Sequence, residues 1–339
     1  MKVITLLSLA IILIGCGGKN QESLTISFDL PENHGDTLEI FYTSPLDFAP
    51  TDIISTVLDA RGKGNIELNG GNYVFSTVDI KGNQFPLFLY PTGNLSVVSN
   101  TEDTLNPISF FGTGAEVNNY FLDVSKIYIE YDAAIGRPFF LLDSMEFMAR
   151  QETIQSEIEA LNAEYFLEIT NSDTLKVILG LENEFRSMFE SFNYELVNQK
   201  RMDIDISLLL SKQSFLNTYS YWYSSTLLGF TDSRVTRSIL ARYDLNDFDS
   251  INYLYPDLMY DEIIALKTSS PIKELLGARV VNSYFLGAEL TPSVLMTYDR
   301  WKNDYPKSDY ILTLENNYQS VLTLESGIVA PEISGITPE

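Results

Sequence analysis

Leu24-Thr25-Ile26-Ser27-Phe28-Asp29-Leu30 alternates apolar and polar residues without a break, so an extended chain here carries four large apolar side chains on one face. A helix would scatter the same residues round its circumference. The period of two recurs in short runs at 37–42, 53–59, 65–68, 73–78, 86–90, 95–98 and 108–111. Turn formers separate the runs: Pro31-Glu32-Asn33, Arg61-Gly62-Lys63-Gly64, Asn69-Gly70-Gly71-Asn72, Gly82-Asn83 and Thr92-Gly93-Asn94. Short strands at this spacing predict a small antiparallel β-sandwich over residues 24–114.

Beyond Gly114 the period changes. Ile154, Ile158, Leu161 and Tyr165 recur at helical spacing, and Ile178, Leu181, Phe185, Met188 and Phe192 form a second stripe. Val235, Ile239 and Tyr243 make a shorter third, and further helices are expected near 205–228, 257–267, 271–287, 291–303 and 308–326. Thr291-Pro292 and Ser270-Pro271 are start signals, with Pro at the first helical position. Residues 115–326 thus read as an all-helical domain of roughly eight helices, and the fold class is α+β in two domains.

Composition excludes much chemistry. The 339 residues hold 22 Lys and Arg against 46 Asp and Glu, a net charge of −24. Nucleic acid is no partner for such a surface, because phosphate binding needs clustered cations. With one Cys (Cys16) and one His (His34), the chain supports no multi-Cys/His metal site, no Cys/His or Ser/His nucleophile system and no CxxC redox couple. No cofactor is expected.

Lys2 and the apolar stretch 3–14 form a cationic start and a hydrophobic run too short for the roughly 20 helical residues a bilayer needs. Residues 1–15 therefore read as a signal peptide. Leu13-Ile14-Gly15-Cys16 resembles the bacterial lipobox, in which the Cys is acylated and becomes the first mature residue. Residues 16–23 are polar and Gly-containing, as a tether should be. The expected partner of this end is a membrane, held through acyl chains because anionic lipid repels an acidic surface, and the expected location is the cell envelope, facing the periplasm.

Other constellations carry ordinary readings. His34 lies in a predicted hairpin turn and is expected to be solvated. The acid-rich Asp244–Asp249 stretch lacks the Gly and Glu of a calcium loop. Gly112-Thr113-Gly114 is expected to be a hinge between sandwich and helices. Ser270 and Lys273 have an acyl-enzyme spacing but fit an N-cap with Pro after it. The acid pairs Glu157/Glu159, Glu182/Glu184 and Asp203/Asp205 are expected on solvated faces. Asp-Ser/Thr-aliphatic tripeptides, such as Asp36-Thr37-Leu38 and Asp143-Ser144-Met145, resemble O-glycosylation sites of Bacteroidetes. The aromatic surplus at Tyr219, Tyr221, Trp222 and Tyr223, and at Tyr253 and Tyr255, suits core packing or a surface that binds a protein or glycan client.

Three stretches carry a family resemblance: Asp59 to Lys63, Phe88 to Val97 with Pro91 and Gly93, and Ile108 to Tyr120 with Gly112, Gly114, Asn118 and Asn119. They are similar to the N-terminal region of thioredoxin-like thiol:disulfide interchange lipoproteins of Bacteroidetes, relatives of TlpA and ResA. Tyr305-Pro306 with Gly327, Ala330 and Pro331 resembles the junction at which their catalytic domain begins, so residues 327–339 read as the entrance to a thioredoxin-like domain whose CxxC motif is not in this sequence. The resemblance implies a lipid-anchored accessory region that positions such a domain and has no redox activity of its own. The alternative expectation is a stand-alone lipoprotein that binds a glycan or peptide.

Overall fold

The computed structural model describes residues 23–69, 71–103, 105–168, 173–242 and 248–324. The signal peptide and lipobox with Leu13, Ile14, Gly15 and Cys16, most of the Asp244–Asp249 stretch, and the junction with Gly327, Ala330 and Pro331 lie outside them.

Eight strands fall where the alternation predicts: β1 (Ser23–Asp29), β2 (Thr37–Thr43), β3 (Pro50–Val57), β4 (Lys63–Asn69), β5 (Val74–Ile80), β6 (Asn83–Leu89), β7 (Gly93–Ser99) and β8 (Ile108–Gly112). They form two four-stranded sheets, ordered β4-β1-β7-β8 and β3-β2-β5-β6. Ile26, Phe28, Leu95 and Phe110 of the first share a core with Leu38, Ile40, Val78 and Leu87 of the second, which makes the pair a sandwich.

Two expectations are corrected. The sandwich is not wholly antiparallel, because β1 and β7 run parallel from Leu24↔Gly93 to Asp29↔Val98. Alternation sets which face of a strand is buried and says nothing of its direction. The turn at His34 is not a hairpin either, since β1 and β2 belong to different sheets. A single 3-10 turn, Pro31–Asn33, carries the chain across, and His34 is exposed with Nδ1 3.1 Å from the Pro31 carbonyl oxygen. Leu30 N–H donates to Gly62 O at 2.8 Å at this crossing, and a Cβ on Gly62 would collide with the Leu30 carbonyl.

The first helix, α1 (Ala115–Ile135), starts from Gly114, whose left-handed φ of 77° and contact with the Tyr90 ring leave no room for a side chain. Its fourth and fifth residues are Asn118 and Asn119. Asn118 Oδ1 accepts from Phe88 N–H at 2.7 Å and its Nδ2 donates to Phe88 O at 3.0 Å. Asn119 makes the same pair of bonds with Phe110, at 2.9 and 3.0 Å. Phe88 is in β6 and Phe110 in β8, the last strand of each sheet, so α1 closes two open edges with side-chain amides.

The remaining helices are α2 (Ser144–Glu168), α3 (Asp173–Asn198), α4 (Ile206–Ser211), α5 (Tyr221–Phe230), α6 (Thr236–Leu240), α7 (Phe248–Ala265), α8 (Ser270–Leu286), α9 (Pro292–Asp304) and α10 (Ile311–Leu324). The ten described helices exceed the expected eight because α1 has no counterpart among the expected stripes and the expected 205–228 helix is divided into α4 and α5. Asp205 accepts from Ser207 N–H to cap α4, Ser220 caps α5, and a π-helical turn, Thr231–Val235, separates α5 from α6.

Among the described residues the helices form two main cores, beside a small cluster of Leu142, Phe147 and Tyr194. Val117, Tyr120, Phe121, Ile154, Ile158 and Leu179 of α1–α3 pack on Phe75 and Phe88, on the outer face of the second sheet. The larger core gathers Phe185, Phe192, Tyr223, Leu227, Tyr260, Leu275 and Trp301, and takes in Leu46 from the β2–β3 loop. Packing therefore runs across the 114/115 boundary, with α3 shared by both cores. Among the described residues no helix is long and apolar enough to cross a membrane.

Candidate functional site

The outer face of β5 and β6 meets α1, α3 and the start of α5 around a cavity of about 220 Å³. Phe75 and Pro86 form its sheet wall and Phe121 and Val124 its α1 wall; Glu182, Asn183 and Arg186 come from α3, and Tyr219, Tyr221 and Trp222 close the far side. Pro86 fits because β6 is an edge strand, where a missing N–H costs no ladder bond.

One hydrogen-bond chain holds the aromatic wall in place. Ser220 Oγ donates to Glu182 Oε2 at 2.5 Å and accepts from Tyr223 N–H at 2.9 Å, which ties the first turn of α5 to α3. Tyr219 precedes this cap in a left-handed conformation (φ 54°) and stacks on Tyr42 of β2, ring centres 4.9 Å apart. Trp222 meets the Tyr221 ring edge-on at 5.0 Å. Asn183 donates to the Tyr120 hydroxyl, which donates to Asn162 at 2.6 Å.

Two charged groups line this largely apolar space. Glu182 is 3% exposed, and burial pushes its carboxyl up to about 7 against the opposing Ser220 hydroxyl, the Trp222 backbone N–H and the Arg186 charge. The Arg186 guanidinium carbon stands 3.4 Å from the Tyr128 ring centre and 4.6 Å from that of Trp222. Its Nε is buried without a hydrogen-bond partner among the described residues, and burial holds the group below the usual arginine value. Arg150 provides the contrast. It also meets Tyr128, at 5.8 Å, but pairs with Glu190 at 2.6 Å and Asp132 at 2.7 Å.

The predicted aromatic surface does not form one patch. Tyr219, Tyr221 and Trp222 line the cavity, whereas Tyr223 points into the core at 0% exposure and donates to Leu209 O at 3.1 Å. Successive helical residues turn by about 100°, so three in a row cannot face one ligand. Tyr255 lines a separate cavity of about 170 Å³ with Asp232, Arg279 and Tyr284. The side chain of Tyr253 lies outside the described residues.

Ser270 and Lys273 are not assembled for acyl transfer. Lys273 Nζ donates to Ile264 O at 2.6 Å, and Ser269 rather than Ser270 is the N-cap of α8, which puts Pro271 one position later than expected. Of the acid pairs, Glu157 accepts from Tyr131 at 2.7 Å on the surface and Asp205 is a helix cap. Glu182 overturns the solvated reading, because α3 is covered on that side by the sandwich and α5. Arg186 escaped the sequence reading as well. The signal for both was their four-residue spacing along the edge of the apolar stripe of Ile178, Leu181 and Phe185, where a neighbouring element can cover them. Among the described residues no group of three or more His, Cys, Asp and Glu is placed to hold a metal ion.

No family model matches this chain, and no match to a curated protein or to a solved structure was found.

Proposed function

We propose that this chain is a lipid-anchored protein of the bacterial cell envelope whose folded part binds and presents a ligand, and that it is the accessory, positioning region of a thioredoxin-like thiol:disulfide oxidoreductase. The observation that carries the binding role is the cavity between the second sheet and α3/α5, with an aromatic wall, a buried carboxyl at Glu182 and a half-buried guanidinium at Arg186 in a largely apolar space. The envelope location rests on the lipobox ending at Cys16, and the accessory role on the turn and junction motifs that resemble those lipoproteins. The chain itself contributes no redox cysteine pair, since Cys16 is its only thiol and lipidation consumes it.

A stand-alone glycan- or peptide-binding lipoprotein is the second reading. It is favoured by one specific observation, that every cavity wall comes from the sandwich or the helices, so that ligand capture needs no further domain. Intact mass of the protein taken from its native membrane separates the two: a mass larger than the acylated 16–339 chain by a thioredoxin-sized domain supports the first, and the acylated chain alone supports the second. An unacylated, unprocessed amino terminus contradicts both. The binding role is tested by thermal denaturation against neutral oligosaccharides and short peptides. A ligand at a hundred times its Kd adds about 2.7 kcal/mol, and an unchanged Tm across the panel contradicts binding.

A further inference from the structure

We propose that the cavity takes the carboxylate of a ligand with an apolar body, and that Arg186 is the residue that receives it. The inference rests on the cavity being a ligand site and adds the chemistry of what enters it.

Among the described residues Arg186 makes no hydrogen bond and no ion pair, although its Nε is fully buried and its guanidinium packs on Tyr128 and Trp222. Its Nε is therefore unspent where an unspent donor costs stability, and its terminal nitrogens bond no other described residue. The same protein pairs its other arginines of this region closely, as Arg150 with Glu190 and Asp132, and Arg234 with Glu195 at 2.7 Å. Stacking on two rings also fixes the guanidinium plane, which prepares its fork of N–H groups for a planar, two-oxygen acceptor.

The surroundings select the ligand's charge and body. Glu182 sits one helical turn from Arg186 on the same cavity wall, in a chain of net charge −24, so a dianion such as a phosphate monoester meets more repulsion than a monocarboxylate does. Phe75, Phe121, Val124 and Trp222 supply apolar surface for the rest of the molecule. A free organic acid and the C-terminus of a peptide ending in an apolar residue present the same chemistry to this site.

The test titrates the full chain, followed by tryptophan fluorescence and Tm, with 3-phenylpropionate, its neutral amide, the peptide Ala-Ala-Phe with a free carboxylate, and the same peptide amidated. Trp222 lines the cavity and Trp301 is fully buried elsewhere, so the fluorescence change reports the site. At least one acid is expected to bind about tenfold or more tightly than its amide, with Arg186→Met abolishing that preference and Arg186→Lys keeping part of it. Preference for the free acid alone identifies a small organic acid, and preference for the peptide acid identifies a chain end. Equal binding of acid and amide, or an acid preference that survives in Arg186→Met, overturns the proposal while leaving the cavity a ligand site. Failure of all four probes overturns it too, and the binding role falls with it only if the neutral oligosaccharides and peptides also leave Tm unchanged. Circular dichroism of both variants guards against unfolding; should Arg186→Met unfold, Arg186→Lys alone must weaken the acid preference or the proposal fails.

Discussion

Asn118 meets Phe88 as a neighbouring strand would, its carboxamide accepting from the Phe88 N–H and donating to the Phe88 carbonyl. Asn119 repeats the arrangement at Phe110, and the two asparagines fasten one helix to the last strands of both sheets. This clamp sets the angle at which α1 leaves the sandwich, and α1 in turn forms one wall of the cavity.

Replacing Asn118 by Leu leaves a buried N–H and C=O of Phe88 unpaired, which costs about 2–4 kcal/mol. Asn119 is less buried, so Asn119→Leu costs less. Urea unfolding of the two variants checks the order, and equal midpoints for Asn118→Leu and the parent chain would contradict the clamp.

Arg234 and Arg186 predict opposite outcomes. Glu195 has a side-chain exposure of 0% and takes both Arg234 Nε and Nη2 at 2.7 Å, so Arg234→Met strands a buried carboxylate at a cost of about 3–5 kcal/mol. Arg186→Met removes a cation that has no partner carboxylate and changes stability by less than about 1.5 kcal/mol, the lost ring contacts being offset by the vanished unpaired donor. Thermal denaturation of both variants reads the difference, and equal losses would show Arg186 to be a structural pair member.

Glu182 gives stability a pH dependence of definite sign. Its folded-state pKa of about 7 lies above the ordinary 4.5, so the folded chain binds more protons between these values and stability declines as pH rises through that window. The facing groups are Arg186 on its own helix, and the Ser220 hydroxyl and Trp222 backbone N–H at the start of α5; none of them titrates there. The stability of Glu182→Gln relative to the parent therefore grows by about 3 kcal/mol from pH 4.5 to 7 and then levels off. A flat difference would contradict the burial of an ionisable carboxyl.

All eight strands were legible to within a few residues, since a strand with one buried face must alternate. Strand direction was not, because β1 would show the same alternation antiparallel to β7, and neither was the crossing at His34, where the turn residues of a hairpin and of a change of sheet coincide. Asn118 and Asn119 stood out only through a family motif; their job depends on two strand ends that are distant in sequence. Tyr219 and Trp222 were picked out by aromatic density, which could not separate them from Tyr223. Glu182 was set aside because acids two apart on a helix diverge, and that divergence is what sends Glu182 inward and leaves Glu184 exposed. Whether a helix face is wet or covered is decided by the partner element, here a sheet whose core side is far away in sequence.

The central claim is that the Arg186 cavity receives a carboxylate beside Trp222, and the chain's two tryptophans report on it separately. In a two-dimensional ¹⁵N–¹H spectrum of the full chain titrated with 3-phenylpropionate and with Ala-Ala-Phe, the Trp222 indole signal should move with either acid or with both. The Trp301 signal should stay fixed, its N–H being bonded to Glu274 O at 2.9 Å in the helical core. Both signals unmoved by either acid, or moving together, would contradict the account.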